Sequence, residues 1–293
     1  MSYRVTLACT RAQAEAVPDS DLFAAAERPP VLVADEPDPA QPDAWLLHAY
    51  FDHAPSDDDL ALLRRLGHGE PHIDALGEDD WVTMSQAGLQ PIRAERFIVH
   101  TPTHRSPVPP GAIAFEIDAG LAFGTGQHAT TAGCLAALDR LAQAGARFTN
   151  IADIGTGTGL LGFAALALWP RARCIATDID AIAVAVARDN ALINRVALGH
   201  GIGAVLLAEA DGMDSPLLVA RAPFDLVIAN ILAGPLIDLA GDIAAALAPD
   251  AALVLAGLLD AQAEAVAGAY TARGLALADR GNGEWPVLVL RKA

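Results

Sequence analysis

One run in this chain spaces its reactive groups as a nucleotide site would: Asp153-Ile-Gly155-Thr-Gly157-Thr-Gly159, followed about 20 residues later by Asp178. The glycines allow a tight turn and let a ligand approach main-chain N–H groups at a helix N-terminus. Asp178 closes the apolar run ARCIATD, where a carboxylate can accept both hydroxyls of a ribose. Together they point to an adenosine-bearing cofactor. Gly157, Gly159 and Gly162 also satisfy G-x-G-x-x-G, with Asp178 at the dinucleotide distance. The loop by itself therefore admits both a nicotinamide dinucleotide and S-adenosylmethionine.

Two further features separate these. Asn230 ends the strand-like run FDLVIAN and is followed by the uncharged ILAGP. At a strand's carboxyl end its amide can accept hydrogen bonds from an amine without adding charge, although it could equally cap a helix starting near Gly234. The second feature is another glycine-rich segment, GLAFGTGQHATT at residues 120–131, ahead of the first strand of the sheet. Nicotinamide domains commonly begin with that strand. Thr130 and Thr131, at a helix start, offer hydroxyls and N–H groups suited to the carboxylate of a methionine moiety. The balance favours S-adenosylmethionine. Phe123 reads first as a hinge or packing residue, with a cation–π face as the alternative, and His128 as a solvated loop residue, with ligand contact as the alternative.

Other chemistries are excluded. Lys292 is the only lysine, so neither a GxxxxGK[ST] phosphate loop nor a Schiff-base enzyme is available. Cys9, Cys134 and Cys174 form no CxxC pair and read as small buried hydrophobes. His100 and His104 flank Pro102, which disfavours a shared helix face, and no HExxH occurs, so no metal is expected. There is no GxSxG serine elbow. A net charge of −17 repels phosphate backbones, and it either favours encounter with a basic protein partner or simply keeps an apolar-rich chain soluble. No apolar run reaches the roughly 18 residues of a membrane span. The N-terminus lacks a secretory layout. A soluble, cytoplasmic, monomeric protein is expected.

These residues need a frame. The 293 residues suggest two domains. The runs YRVTLAC, PPVLVAD and AWLLHAYF, with the acidic-headed DDDLALLRRLG, read as a small α+β domain over residues 1–77. Residues 78–118 form a linker and entry segment, marked by SPVPPG. Over 119–293, strands alternate with helices, among them TAGCLAALDRLAQAG and PLIDLAGDIAAALA, which implies a parallel sheet covered on both faces. ALADRG and EWPVLVLRK are joined by GNGE without room for a helix, so that last pair must be antiparallel.

GLAFGTGQHATT, DIGTGTG, ATDID and NILAGP, in that order and spacing, resemble the ribosomal-protein methyltransferase family often called PrmA. The resemblance runs from about Trp81 to Trp285 and includes WVTMSQAGLQPIRAERFIVH. Gln127 departs from the Thr or His common there, and the first 75 or so residues match only in size and coarse order. The resemblance implies a class I, Rossmann-like α/β methyltransferase domain with a seven-stranded, mostly parallel sheet. It implies a ferredoxin-like substrate-recognition domain ahead of it. Thr131, Gly155, Asp178 and Asn230 fall on the family's cofactor contacts, Gly157 lies in the same loop, and Asn230 is where the target amine would be held. The implied activity is N-methylation of lysine or N-terminal amino groups of large-subunit ribosomal protein eleven. Methylation of lysines in another protein or of a small-molecule amine, and nicotinamide-dependent oxidoreduction, are the competing readings.

Overall fold

The computed structural model describes residues 2–15, 23, 28–35, 43–76, 91–102, 105, 107–117 and 129–292. The chain forms two compact units, Met1–Ser85 and Gln86–Ala293. Most of the segment at 120–131, with Phe123, Gln127 and His128, lies outside the described residues, as do His104 and residues 81–90.

In the first unit, β1 (Ser2–Cys9), α1 (Arg11–Glu15), β2 (Val31–Asp35), β3 (Trp45–Phe51), α2 (Asp57–Leu63) and β4 (His68–Leu76) succeed one another. Every strand pair is antiparallel, in the order β2-β3-β1-β4. Alternation decides which face is buried. Val5, Leu7 and Cys9 of β1 and Leu47, Ala49 and Phe51 of β3 turn inward, where Leu63 of α2 and Ala14 of α1 meet them. The neighbouring positions carry polar cross-strand pairs. Arg4 donates to Asp74 at 2.6 Å, and Thr6 shares a 3.0 Å hydrogen bond with His48. Ser56 and Asp59 form a reciprocal capping box, and the three aspartates opening α2 suit its positive end.

The second unit opens with a small sheet, β5 (Ile92–Ala94), β6 (Phe97–His100) and β7 (Ile113–Glu116). Its Ala94, Phe97, Val99 and Phe115 enter the main core, so much of the stretch expected as linker and entry segment is built into the second unit. Among the described residues the main sheet has eight strands, with seven expected. They are β8 (Asn150–Ile154), β9 (Arg173–Asp178), β10 (Ala197–Leu198), β11 (Ala204–Glu209), β12 (Phe224–Asn230), β13 (Leu247–Ala256), β14 (Leu275–Arg280) and β15 (Leu288–Lys292). Their order is β10-β11-β9-β8-β12-β13-β15-β14. The additional strand is the two-residue edge Ala197–Leu198, too short to leave a periodic signal. Strands β8 to β13 are parallel, whereas β15 is antiparallel to both of its neighbours, as the tight connection requires.

Alternate residues of each strand face opposite layers. Ile151, Cys174, Val205, Leu226, Ile228 and Val254 pack against α3 (Ala129–Gln143), α4 (Leu160–Leu168) and α5 (Ala181–Ile193). Ala152, Ile154, Ile175, Val227 and Leu253 pack against α6 (Pro216–Arg221), α7 (Ala233–Asp238), α8 (Ala240–Ala246) and α9 (Ala263–Thr271). The run PLIDLAGDIAAALA, expected as one helix, is split at Leu239 into α7 and α8. Buried Tyr270 donates its hydroxyl to the Leu236 carbonyl at 2.8 Å, the acceptor that an unbroken helix would offer to Ala240. All three cysteines are buried and free, as small hydrophobes should be.

Candidate active site

Three parallel strands, β8, β9 and β12, end side by side, and the loops that leave them build the site. This is the usual ligand position of an open α/β sheet. Gly155, Gly157 and Gly159 all have positive φ (69°, 54° and 87°), a conformation that side chains resist. Space enforces the same choice. A β-carbon at Gly155 would collide with Ile231 Cγ2, and one at Gly159 with the Phe163 ring. Ile231 is held from its other side by Gly257, whose own β-carbon would strike the Ile231 carbonyl. The chain leaving β12 thus lies directly against the glycine loop.

Backbone and side chains fix the loop from below. Thr156 N–H donates to the Thr177 carbonyl at 2.9 Å, tying the loop to β9. Asp153 Oδ2 accepts from Thr156 Oγ1 at 2.7 Å and from Gly162 N–H at 2.9 Å. Asp153 is only 1% exposed, and its Oδ1 has no partner among the described residues. Burial pushes its pKa up to about 7; the two donors oppose this, and the charge of Asp178 adds to it. The motif reads as a cofactor loop, and nothing in its spacing singles out this supporting role for Asp153.

Asp178 stands at the end of β9, half-buried. Its Oδ2 accepts from Gly157 N–H at 2.8 Å and its Oδ1 from Asp180 N–H at 3.1 Å. The carboxylate therefore shapes the glycine loop as well as presenting oxygens to the cleft, and each oxygen keeps capacity for one more donor. Asp180 caps α5 through Ile182 N–H at 2.8 Å.

Asn230 is the last residue of β12, and Thr131 is in the first turn of α3. Although 99 positions apart, they meet: Asn230 Nδ2 donates to Thr131 Oγ1 at 3.4 Å. The capping alternative for Asn230 fails, because α7 takes Leu232 as its N-cap and has no side-chain cap. The structure thus gathers Thr131, Gly155, Gly157, Asp178 and Asn230 at the carboxyl ends of β8, β9 and β12. No group of three potential metal ligands occurs among the described residues.

Sequence reading misses Asn190 and Asn194. Asn190, fully buried in α5, donates Nδ2 to the Thr158 carbonyl of the glycine loop at 3.1 Å. The available signal is two asparagines four apart in the helical run ARDNALINR, since asparagine is a poor interior helix residue without a partner.

Among known families, residues 4–293 match the one described as Ribosomal protein L11 methyltransferase (PrmA). The Ribosomal protein L11 methyltransferase of Brucella suis (strain ATCC 23445 / NCTC 10510) is 47% identical over 210 residues, 72% of this chain and 71% of that protein. That of Rhodopseudomonas palustris (strain BisB5) is 42% identical over 239 residues, covering 80% and 79%. A crystal structure of ribosomal protein L11 methylase from Lactobacillus delbrueckii subsp. bulgaricus superposes with a TM-score of 0.59 at 26% identity. It covers 70% of this chain and 99% of that one.

Proposed function

Because the chain belongs to the ribosomal protein L11 methyltransferase (PrmA) family, we propose that it transfers methyl groups to amino nitrogens of ribosomal protein L11, on lysine side chains, the N-terminus or both. It is an S-adenosylmethionine-dependent methyltransferase of Rossmann-like fold. The observation that carries the amine reading is the meeting of Asn230 with Thr131 beside the glycine loop.

Gly155 lets the loop lie directly against Ile231, where a β-carbon would collide. We assign Gly155 and Gly157 to the cofactor's backbone-binding turn, Asp178 to the ribose hydroxyls, and Thr131 to the amino-acid end. When bound, S-adenosylmethionine supplies a methyl group on a positively charged sulfur. The chain's own task is to deliver a nitrogen with a free lone pair. For a lysine near pKa 10.4, losing the proton at pH 7 costs about 4–5 kcal/mol, and for an α-amine near 8 about 1 kcal/mol. Desolvation lowers that cost, whereas neighbouring carboxylates raise it. Asn230, Ile231 and Leu232 meet this need with uncharged groups. Asn230 donates through Nδ2 to Thr131, so its Oδ1 is the end that orients the amine. A backbone carbonyl from Ile231 or Leu232 assists, and the remainder is alignment.

The surface supports the substrate class. A net charge of −17 accelerates encounter with a basic protein, while the uncharged Asn230, Ile231 and Leu232 at the proposed amine position do not favour the protonated amine. We assign substrate recognition to the first unit and infer that it is ferredoxin-like; its β1-α1-β2-β3-α2-β4 order and β2-β3-β1-β4 sheet support this. The test is to incubate the enzyme with labelled S-adenosylmethionine and purified L11. A parallel sample uses L11 whose amines have been chemically blocked. Label should enter only the unblocked protein. Equal labelling of both samples would remove the amine assignment.

A further inference from the structure

Asparagine 194, just past α5, makes three hydrogen bonds through one side-chain amide. Its Oδ1 accepts from Glu116 N–H at 2.9 Å, and its Nδ2 donates to the Glu116 carbonyl at 2.7 Å and to the Asn190 carbonyl at 2.8 Å. Glu116 ends β7, the edge strand of the small sheet. The amide therefore does what the peptide of a further strand would do, pairing with both backbone groups of one edge residue. On the opposite side, Ile117 N–H donates to the His100 carbonyl at 2.9 Å, so the end of β7 is pinned from two directions. One turn earlier on α5, Asn190 holds Thr158.

We propose that Asn190 and Asn194 are positioning residues acting as one strut. They fix the spacing between the glycine loop after β8 and the end of β7. The Asn190 end holds the turn that carries Gly155 and Gly157. The Asn194 end anchors α5 to Glu116, so the hold on that turn is braced against a second sheet. A residue whose only task was to fill α5 would not need both carbonyl and amide of one strand residue 78 positions away.

This inference rests on the placement of S-adenosylmethionine at the glycine loop proposed above. The test separates the two. In Asn194→Ala, KM and Kd for S-adenosylmethionine should rise about tenfold, the loss expected from roughly one net hydrogen bond. KM for the protein substrate should stay within twofold. Asn194→Asp keeps the shape and the acceptor but turns a carboxylate oxygen toward the Glu116 and Asn190 carbonyls, so it should give a rise at least as large. It carries the test if the alanine variant does not fold. A purely structural asparagine would lower the melting temperature and the active fraction and leave the cofactor constants alone. Folded variants with cofactor KM and Kd within twofold of the parent overturn the strut, as does a parallel rise in both substrates' KM. Asp178→Ala, measured alongside, reports on the placement itself. If it too leaves cofactor affinity unchanged, the placement has failed; if it weakens binding and the Asn194 variants do not, only the strut has.

Discussion

The two ends of the central strands use similar residues for opposite purposes. At the amino ends of β8 and β12, Asp225 accepts from Thr149 N–H, Thr149 Oγ1 and Asn150 N–H at 2.7, 2.8 and 3.0 Å. Asn150 in turn donates to the carbonyls of Arg221 and Pro223 at 2.6 and 2.8 Å, and Arg221 Nη2 returns a bond to Asn150 Oδ1 at 3.2 Å. These groups spend their hydrogen-bonding capacity on one another, with Arg221 Nη1 alone lacking an acceptor. At the carboxyl ends, Asp153, Asp178 and Asn230 hold glycine turns and a threonine, and keep lone pairs in reserve. The first network staples strands; the second is shaped to receive something.

Breaking the open end at Asn230 should have the largest effect. Asn230→Ala removes the only polar side chain on the chain leaving β12 before α7. Methyl transfer should fall about 10²- to 10³-fold, comparable to losing a positioned hydrogen-bonding group at a reacting centre. Cofactor affinity should stay within a few-fold and the melting temperature within a few degrees. Turnover equal to the parent's would take Asn230 out of the mechanism.

Asp178→Ala should act on binding. Two backbone N–H groups lose their acceptor and the ribose loses its proposed partner, so cofactor affinity should drop about 10- to 100-fold, roughly one to two hydrogen bonds to a charged group. Turnover at saturating cofactor should change far less. Calorimetry giving equal affinities would refute the ribose assignment.

Legibility in the sequence divides along similar lines. Gly155 and Gly157 were legible because positive φ and close approach select glycine at the position itself, with no other segment needed. Asp178 and Asn230 were legible because a strand-like run ends on each of them. The Asn194 clamp was not, since its partner Glu116 belongs to a short strand 78 residues earlier. Nor was the break at Leu239, because the carbonyl that interrupts the helix is taken by Tyr270, 34 residues on. In the first unit, the β-like runs YRVTLAC, PPVLVAD and AWLLHAYF revealed the strands, yet such runs carry no information about what the outer face binds.

Asp153 sharpens the comparison through pH. Its folded-state pKa of about 7 stands above the ordinary value of 3.8 because burial disfavours the anion. Between those values the folded chain keeps a proton that the unfolded chain has released. Its contribution to stability is therefore complete at the acid end of this window and is lost as pH rises to about 7, at about 1.4 kcal/mol per pH unit. Asp153→Asn holds a neutral group of the same shape at every pH. Relative to that variant, the parent should lose stability steadily from pH 5 to pH 7 and then level off, as read by urea denaturation. Parallel stability curves would mean that the carboxylate is ionised and accommodated.

The smallest functional effect should come from the closed end. Asp225→Ala strips three donors of one acceptor, but Thr149 and Asn150 lie at the start of β8, where water can reach and partly replace it. Stability should fall by about 1–2 kcal/mol, while cofactor affinity and turnover at a temperature where the protein is fully folded stay unchanged. The reason is geometric: strand β8 separates Asn150 from the loop after Ile154, and its pairing with β9 and β12 holds the register whether or not the staple is present. If Asp225→Ala instead weakened cofactor binding tenfold, register set at one end of the sheet would be reaching the turn at the other. The two ends could then no longer be treated as separate devices.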